Sequence, residues 1–292
     1  MSAPRARPAL VALDLDGTLL YSARSLMLGD DDLLAPRLVV AEVWRGEPLT
    51  YCTQRTETLL AELARAAVVV PVTTRTRAQY ARVRLFDGSG PGSAPAFAVV
   101  ANGGHLLVDG RPDEDWARQV RAAVAAECAP LDEVTGALER TTDGHRTSEL
   151  RAAEGLFTYV AVDPATWPGS ALADLAAWCA ERGWRVSLQG RRLYCVPRPL
   201  TKAAAVAEVA RRTGTARLLA AGDSLLDRDV LALADNAVRP PHGELHEIGW
   251  RPPHVTVTAT AGVRAGEEVV RRLLELLRHP PSDEIVSTDA LQ

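Results

Sequence analysis

Ala9-Leu10-Val11-Ala12-Leu13-Asp14-Leu15-Asp16-Gly17-Thr18 is the stretch from which the rest of the chain can be read. Five unbroken apolar residues describe a short strand buried on both faces, as in a parallel sheet, whose C-terminal end hands over to polar residues. Two acids flanking one apolar residue point to the same side of that end, because side chains alternate along an extended chain. Two carboxylates so placed repel, and burying both ionised requires a cation. A hard divalent ion such as Mg²⁺ meets that need with oxygen ligands. It leaves Asp14 able to act as a nucleophile and Asp16 able to move a proton. A plain β-turn, with Asp and Gly serving turn geometry, is the competing reading.

Three further apolar runs end in the same way. Val68 to Val72 runs into Thr73-Thr74-Arg75, Phe97 to Ala101 into Asn102-Gly103-Gly104, and Leu218 to Ala221 into Gly222-Asp223-Ser224. Helical patterns at Thr56 to Ala66 and Ala203 to Arg212 lie between strands, which is the layout of an open α/β sheet with its ligand site beyond the carboxyl ends. Arg37 to Thr53, centred on Gly46, reads as a β-hairpin. Between Leu106 and Tyr194 the pattern changes to helix at Trp116 to Cys128, strand at Phe157 to Val162, helix at Ser170 to Arg182, and strands at Trp184 to Leu188 and Leu193 to Val196. This is an inserted α+β unit lying over the site, with hinges near Asp109 to Pro112 and Pro197 to Pro199.

At 292 residues and 47% hydrophobic content the chain can fill a full core. Its formal net charge is only −4 and no Lys/Arg cluster marks a face, so neither nucleic acid nor membrane is an expected partner. Cys52, Cys128, Cys179 and Cys195 have no CxxC or metal-ligand spacing and read as reduced thiols. The residues ahead of Asp14 are too short for a signal-peptide core, and a cytoplasmic location is expected. Of 33 Lys and Arg residues only Lys202 is lysine. Arginine replaces lysine readily on a surface, but poorly where a compact charge on a thin stem must enter a crowded pocket.

Taken in order, these segments resemble the four motifs of the haloacid dehalogenase (HAD) superfamily. Asp14-Leu15-Asp16-Gly17-Thr18 is similar to the first, which implies Asp14 as nucleophile and Asp16 as general acid/base. Val70-Pro71-Val72-Thr73-Thr74-Arg75 resembles the second and implies a threonine hydroxyl on the phosphoryl group; Thr74 replaces the usual glycine, so Thr73 or Thr74 can serve. Lys202, in Pro199-Leu200-Thr201-Lys202-Ala203, falls where the third motif places a lysine that pairs with the nucleophile and the phosphate. Gly222-Asp223-Ser224-Leu225-Leu226-Asp227 resembles the fourth. It implies Asp223 as a Mg²⁺ ligand and Asp227 as holder of metal-bound water, with Leu226 in place of a common asparagine and Asp229 as an available substitute. Asp223 and Asp227 also suit helix capping. Asn102-Gly103-Gly104 resembles the family's strand-end Asn-Gly, making Asn102 a third phosphate-binding candidate beside Thr73 and Thr74.

The resemblance implies a Rossmann-like α/β HAD core with a mostly parallel sheet, residues 1–107 and 196–278, plus an inserted α+β cap domain, 108–195, and a disordered tail, 279–292. A cap placed after the second motif is typical of the Cof-type and sucrose-phosphate-phosphatase-like members. The implied activity is Mg²⁺-dependent hydrolysis of a small phosphorylated metabolite, a sugar phosphate or similar, through an aspartyl-phosphate. Mg²⁺ would be held by Asp14, Asp16 (through its backbone carbonyl), Asp223 and Asp227. A phosphomutase, or a catalytically weak binding or regulatory module, would share these motifs. Other features read as structural: His242 and His246 lack the zinc-protease arrangement, Gly88 to Gly92 is a loop, and the helix from Glu267 to Arg278 packs on the sheet; Arg191-Arg192 and His145-Arg146 in the inserted unit could face substrate oxygens, although solvated surface charge is the more frequent explanation.

Overall fold

The computed structural model describes residues 9–29, 35–86, 94–163, 166 and 169–279. The expected loop at Gly88 to Gly92 and the tail from residue 280 lie outside the described residues. In chain order the elements are β1 (Ala9–Leu13), β2 (Leu38–Trp44), β3 (Glu47–Thr53), α1 (Gln54–Ala66), β4 (Val68–Pro71), α2 (Arg77–Tyr80), β5 (Phe97–Val100), β6 (His105–Val108) and β7 (Arg111–Pro112). They continue through α3 (Glu114–Glu127), α4 (Leu131–Thr141), β8 (Arg151–Ala153), β9 (Phe157–Ala161), α5 (Gly169–Glu181), β10 (Trp184–Gln189) and β11 (Arg192–Pro197). The last part comprises α6 (Lys202–Thr213), β12 (Arg217–Ala221), α7 (Arg228–Leu233), β13 (Asn236–Arg239), α8 (Glu244–Glu247), β14 (Val255–Val257) and α9 (Val263–Arg278).

β1 lies inside a five-stranded parallel sheet of order β14-β13-β12-β1-β4. Its unbroken apolar run is explained by burial on both sides. Val11 and Leu13 join a cluster with Leu219, Ala221, Leu63 of α1 and Val270 and Leu273 of α9, whereas Leu10 and Ala12 join another with Ala220 and Val206 and Val209 of α6. Covering a Leu side chain in this way stabilises the fold by about 1.5–3 kcal/mol.

The run from Phe97 departs from the expected open sheet. β5 meets the central sheet through a single parallel bridge, Val72 to Val99, and otherwise heads a three-stranded antiparallel sheet with β6 and β7. The cause is the turn that follows it, where Ala101 and Asn102 both have positive φ and reverse the chain at once.

The intervening unit is a four-stranded antiparallel sheet of order β10-β11-β9-β8, one face of which packs on helices. Leu193 and Cys195 of β11 and Val160 of β9 meet Leu138 of α4 and Leu175 and Cys179 of α5. The architecture is thus a parallel α/β core with an inserted α+β unit. α4, β8, β13 and β14 lay outside the sequence expectation. No described helix is long and apolar enough to cross a membrane, and all four cysteines are free thiols.

Candidate active site

The carboxyl ends of β1, β4 and β12 converge with the start of α6. Asp14 is fixed at the end of β1, its N–H donating to the Ala221 carbonyl at 2.9 Å. Lys202, 188 residues away and 1% exposed, donates from Nζ to Asp14 Oδ1 at 2.6 Å and to Asp227 Oδ1 at 2.5 Å. Thr201 caps α6 by accepting the Ala204 N–H, which holds Lys202 on the first turn. Burial lowers the Lys202 pKa, but the charges and hydrogen bonds of Asp14 and Asp227 outweigh it and hold the ammonium charged.

Carboxylate oxygens of Asp14, Asp223 and Asp227 lie within 4.8 Å of one another. Burial raises the Asp14 carboxyl, the Asp227 charge adds to this and Lys202 offsets part of it, leaving it pushed up to about 7. Asp223 is pushed well above the carboxylate range by burial and by the charges of Asp14 and Asp227. Three carboxylates against one ammonium leave an excess negative charge in an all-oxygen donor set, which suits a hard dication. The backbone is shaped around Asp223. A Cβ on Gly17 (φ 79°) or on Gly243 (φ 81°) would lie 2.4 or 2.5 Å from its Oδ2, so only glycine fits on either side. Asp227 is already engaged: Oδ2 accepts from the backbone of Asp223 and Ser224 and from the Ser224 hydroxyl, while Oδ1 faces Lys202.

The Asp16 side chain lies outside that acidic cluster. Arg75 grips it with two bonds, Nε to Oδ2 at 2.7 Å and Nη2 to Oδ1 at 2.8 Å. Burial raises the Asp16 pKa, but the Arg75 charge and its hydrogen bonds override this and bring it below the ordinary value. The third corner of the Arg75 fork, Nη1, donates to Glu42 Oε2 at 2.6 Å, and Arg82 donates to Glu42 Oε1 at 2.9 Å. Glu42 is fully buried, at an irregularity in the β2–β3 pairing that turns it inward.

Thr73 and Thr74 follow β4 and are both buried. Thr73 Oγ1 accepts the Arg75 N–H at 3.1 Å. Asn102 lies at the end of β5, in the turn before β6. Its amide is fully buried and donates to the Leu200 carbonyl at 2.9 Å, so it orders the approach to Lys202. Leu226 has a packing reason, since it belongs to the apolar cluster of the inserted unit. Asp229 is turned to Arg185 at 2.7 Å and is absent from the acidic cluster. His242 donates from Nε2 to the Gly17 carbonyl, 2.7 Å away, accepts the Gly262 N–H at Nδ1, and packs on Tyr21.

Sequence reasoning passed over Arg75, Glu42 and Glu244. Arg75 had the signal of adjacency to the two threonines. Glu42 had a weaker one, a lone acid in the apolar run Leu38-Val39-Val40-Ala41-Glu42-Val43-Trp44. Glu244, itself buried, accepts from Ser187 Oγ (2.7 Å) and the Leu188 N–H (2.8 Å) of β10 and from the Leu225 N–H (3.0 Å) in the loop of Asp223, a bridge that no local pattern announces.

No family model matches the sequence, and no curated protein matches it. Solved structures do. A sucrose-phosphatase from Synechocystis sp. PCC6803, solved with sucrose and phosphate, is 13% identical with a TM-score of 0.59, over 94% of this chain and 99% of that one. The HAD subclass IIB sugar phosphatase BT4131 is 11% identical with a TM-score of 0.56, over 91% and 97%. The HAD phosphatase BT1666 from Bacteroides thetaiotaomicron is 14% identical with a TM-score of 0.54, over 95% and 98%. The chain therefore shares its fold with these phosphatases over nearly its whole length.

Proposed function

We propose that this protein is a Mg²⁺-dependent phosphatase that hydrolyses a small phosphate monoester through an aspartyl-phosphate on Asp14. The observation that carries the reading is the buried contact of Lys202 with Asp14 at 2.6 Å beside the acidic cluster. The ammonium offsets part of the burial and repulsion that raise the Asp14 pKa, and a carboxylate set against a fixed cation at a strand mouth is placed to act as a nucleophile. The phosphatase activities of the structural neighbours support the same chemistry and a sugar phosphate or similar metabolite as substrate.

Asp14 and Asp223 would hold Mg²⁺, together with the Asp16 carbonyl, and the ion would neutralise charge on the phosphoryl oxygens. Asp14 Oδ2 attacks phosphorus, its other oxygen remaining with Lys202, whose ammonium offsets negative charge gathering on the transferring group. Thr73 or Thr74 supplies a hydroxyl to that group. Asp16 takes a proton from the water that opens the acyl-phosphate and returns it to the leaving alcohol of the next turnover, a donation that its low pKa favours less than the uptake. Arg75 favours the ionised state of Asp16 and so assists the second step. Asp227 holds Lys202 and the Asp223 loop in register. Residues 108–195 act as a cap that excludes water during the first step, over a core of residues 1–107 and 196–278. The unpaired thiols support a reducing, cytoplasmic setting.

Phosphate release should be measured with Mg²⁺ across sugar phosphates, nucleotides and phosphorylated acids. Release by the native protein, absent from folded Asp14→Asn, is the expected result. Isomer formation without free phosphate would move the assignment to a phosphomutase, and release undiminished in Asp14→Asn would overturn the mechanism.

A further inference from the structure

Alternation along β11 puts Leu193 and Cys195 toward the cap helices and Arg192 and Tyr194 on the opposite face. That face looks onto the core, because Tyr159, stacked on Tyr194, accepts a hydrogen bond at its hydroxyl from Gln79 Nε2 of α2 at 3.4 Å. Tyr194 is itself buried and stacked on Tyr159 of β9, ring centroids 5.4 Å apart, so the aromatic surface on the Arg192 face is rigid. Arg192 remains solvent-accessible.

Its charge reaches Asp16, yet Asp16 is not its partner: each Asp16 oxygen already takes an N–H of Arg75. Other cations that join cap and core have carboxylates of their own, Arg185 with Asp229 and Arg77 with Glu154. Among the described residues Arg192 has no carboxylate within 4.0 Å. The arginine thus shares a face with a rigid stacked aromatic pair, its charge within reach of the group assigned to the leaving alcohol, with planar donors that fit a carboxylate or phosphate. A solvated surface charge needs none of these fixtures.

Resting on the phosphatase reading, we propose that Arg192 binds a second anionic group, a carboxylate or another phosphate, on the alcohol portion of the substrate. The preferred substrate is then a phosphorylated acid or a bisphosphate, in preference to a neutral sugar phosphate.

The test compares native protein with Arg192→Gln on matched esters: 3-phosphoglycerate, fructose 1,6-bisphosphate and glucose 6-phosphate. The expected result is a KM raised about 10- to 100-fold for whichever charged ester the native protein prefers, with kcat little changed and glucose 6-phosphate unaffected. The better of the two charged esters tells carboxylate from phosphate. Equal use of the neutral ester by the native protein, or an equal KM rise for all three, overturns the inference while leaving the phosphatase intact. Calorimetric binding of the same esters to Asp14→Asn, with and without Arg192→Gln, reads the subsite without turnover. Weaker binding of charged esters alone supports it even if no phosphate is released, and unchanged binding overturns it.

Discussion

The guanidinium of Arg75 meets the carboxylate of Asp16 edge to edge, Nε to Oδ2 at 2.7 Å and Nη2 to Oδ1 at 2.8 Å, and its remaining corner rests on Glu42. The arrangement fixes both the rotamer of Asp16 and its charge. Arg75→Lys retains a cation but not the fork, so Asp16 loses part of what lowers its pKa. We expect kcat to fall by about 10²-fold and the acid limb of the pH–rate profile to move to higher pH. A profile unchanged in shape would show that Asp16 does not set that limb.

Glu42 lies between two guanidinium groups with no access to water. Glu42→Gln leaves Arg75 and Arg82 without their shared countercharge, which predicts a loss of about 3–5 kcal/mol in urea unfolding. Its effect should not add to that of Arg75→Lys. A double-mutant cycle is expected to give a coupling of about 1–3 kcal/mol, and strict additivity would deny that the two act as one unit.

Lys202 is the same kind of case at the other wall of the site. Lys202→Met removes the ammonium shared by Asp14 and Asp227, leaving buried carboxylates that repel. Stability should drop by about 3–5 kcal/mol at neutral pH, and less in acid, where the carboxyls take up protons. Turnover should be lost at every pH.

On the proposed reading, Mg²⁺ and protons compete for the acidic cluster. The folded protein raises Asp14 from 3.8 to about 7, so between those values it holds a proton that the unfolded chain has released. That contribution to stability therefore declines as pH rises through the window. A bound dication offsets the repulsion, and the increase in Tm on adding Mg²⁺ should be larger at about pH 8 than at about pH 6. Equal increases at both would place the ion elsewhere.

Glu154, in the turn between β8 and β9, gives the opposite sign. Burial works to raise its pKa, but hydrogen bonds from His105 and from the backbone and side chain of Arg77 hold it at about 2, against an ordinary 4.5. A depressed carboxyl stabilises above its unfolded value and loses that contribution as pH falls. Glu154→Gln should therefore lower Tm at pH 7, with the gap to native closing between pH 4.5 and 2. A gap independent of pH would mean that packing, not charge, holds the turn.

Much of this site is local in the sequence. Asp14, Asp16, Thr73, Asp223 and Asp227 each stand where an apolar run stops, and a run that stops in acids or threonines is visible without neighbours. Lys202 was visible by contrast with a chain that otherwise uses arginine. Arg75 and Glu42 were harder, because their meeting depends on a pairing irregularity in β2 that turns one acid inward. Asn102 shows the limit of position as a guide. Its place at a strand end was legible, but the direction of its amide, toward Leu200, is set by a left-handed backbone turn that spacing does not reveal.

Glu244 gives the molecule a mechanical property. One carboxylate receives two bonds from β10 and one from Leu225, two residues beyond Asp223. Strand β10 cannot swing away from the core without breaking contacts on the same side chain that steadies the Asp223 loop. Displacing β10 and loosening the Asp223 loop are thereby a single motion.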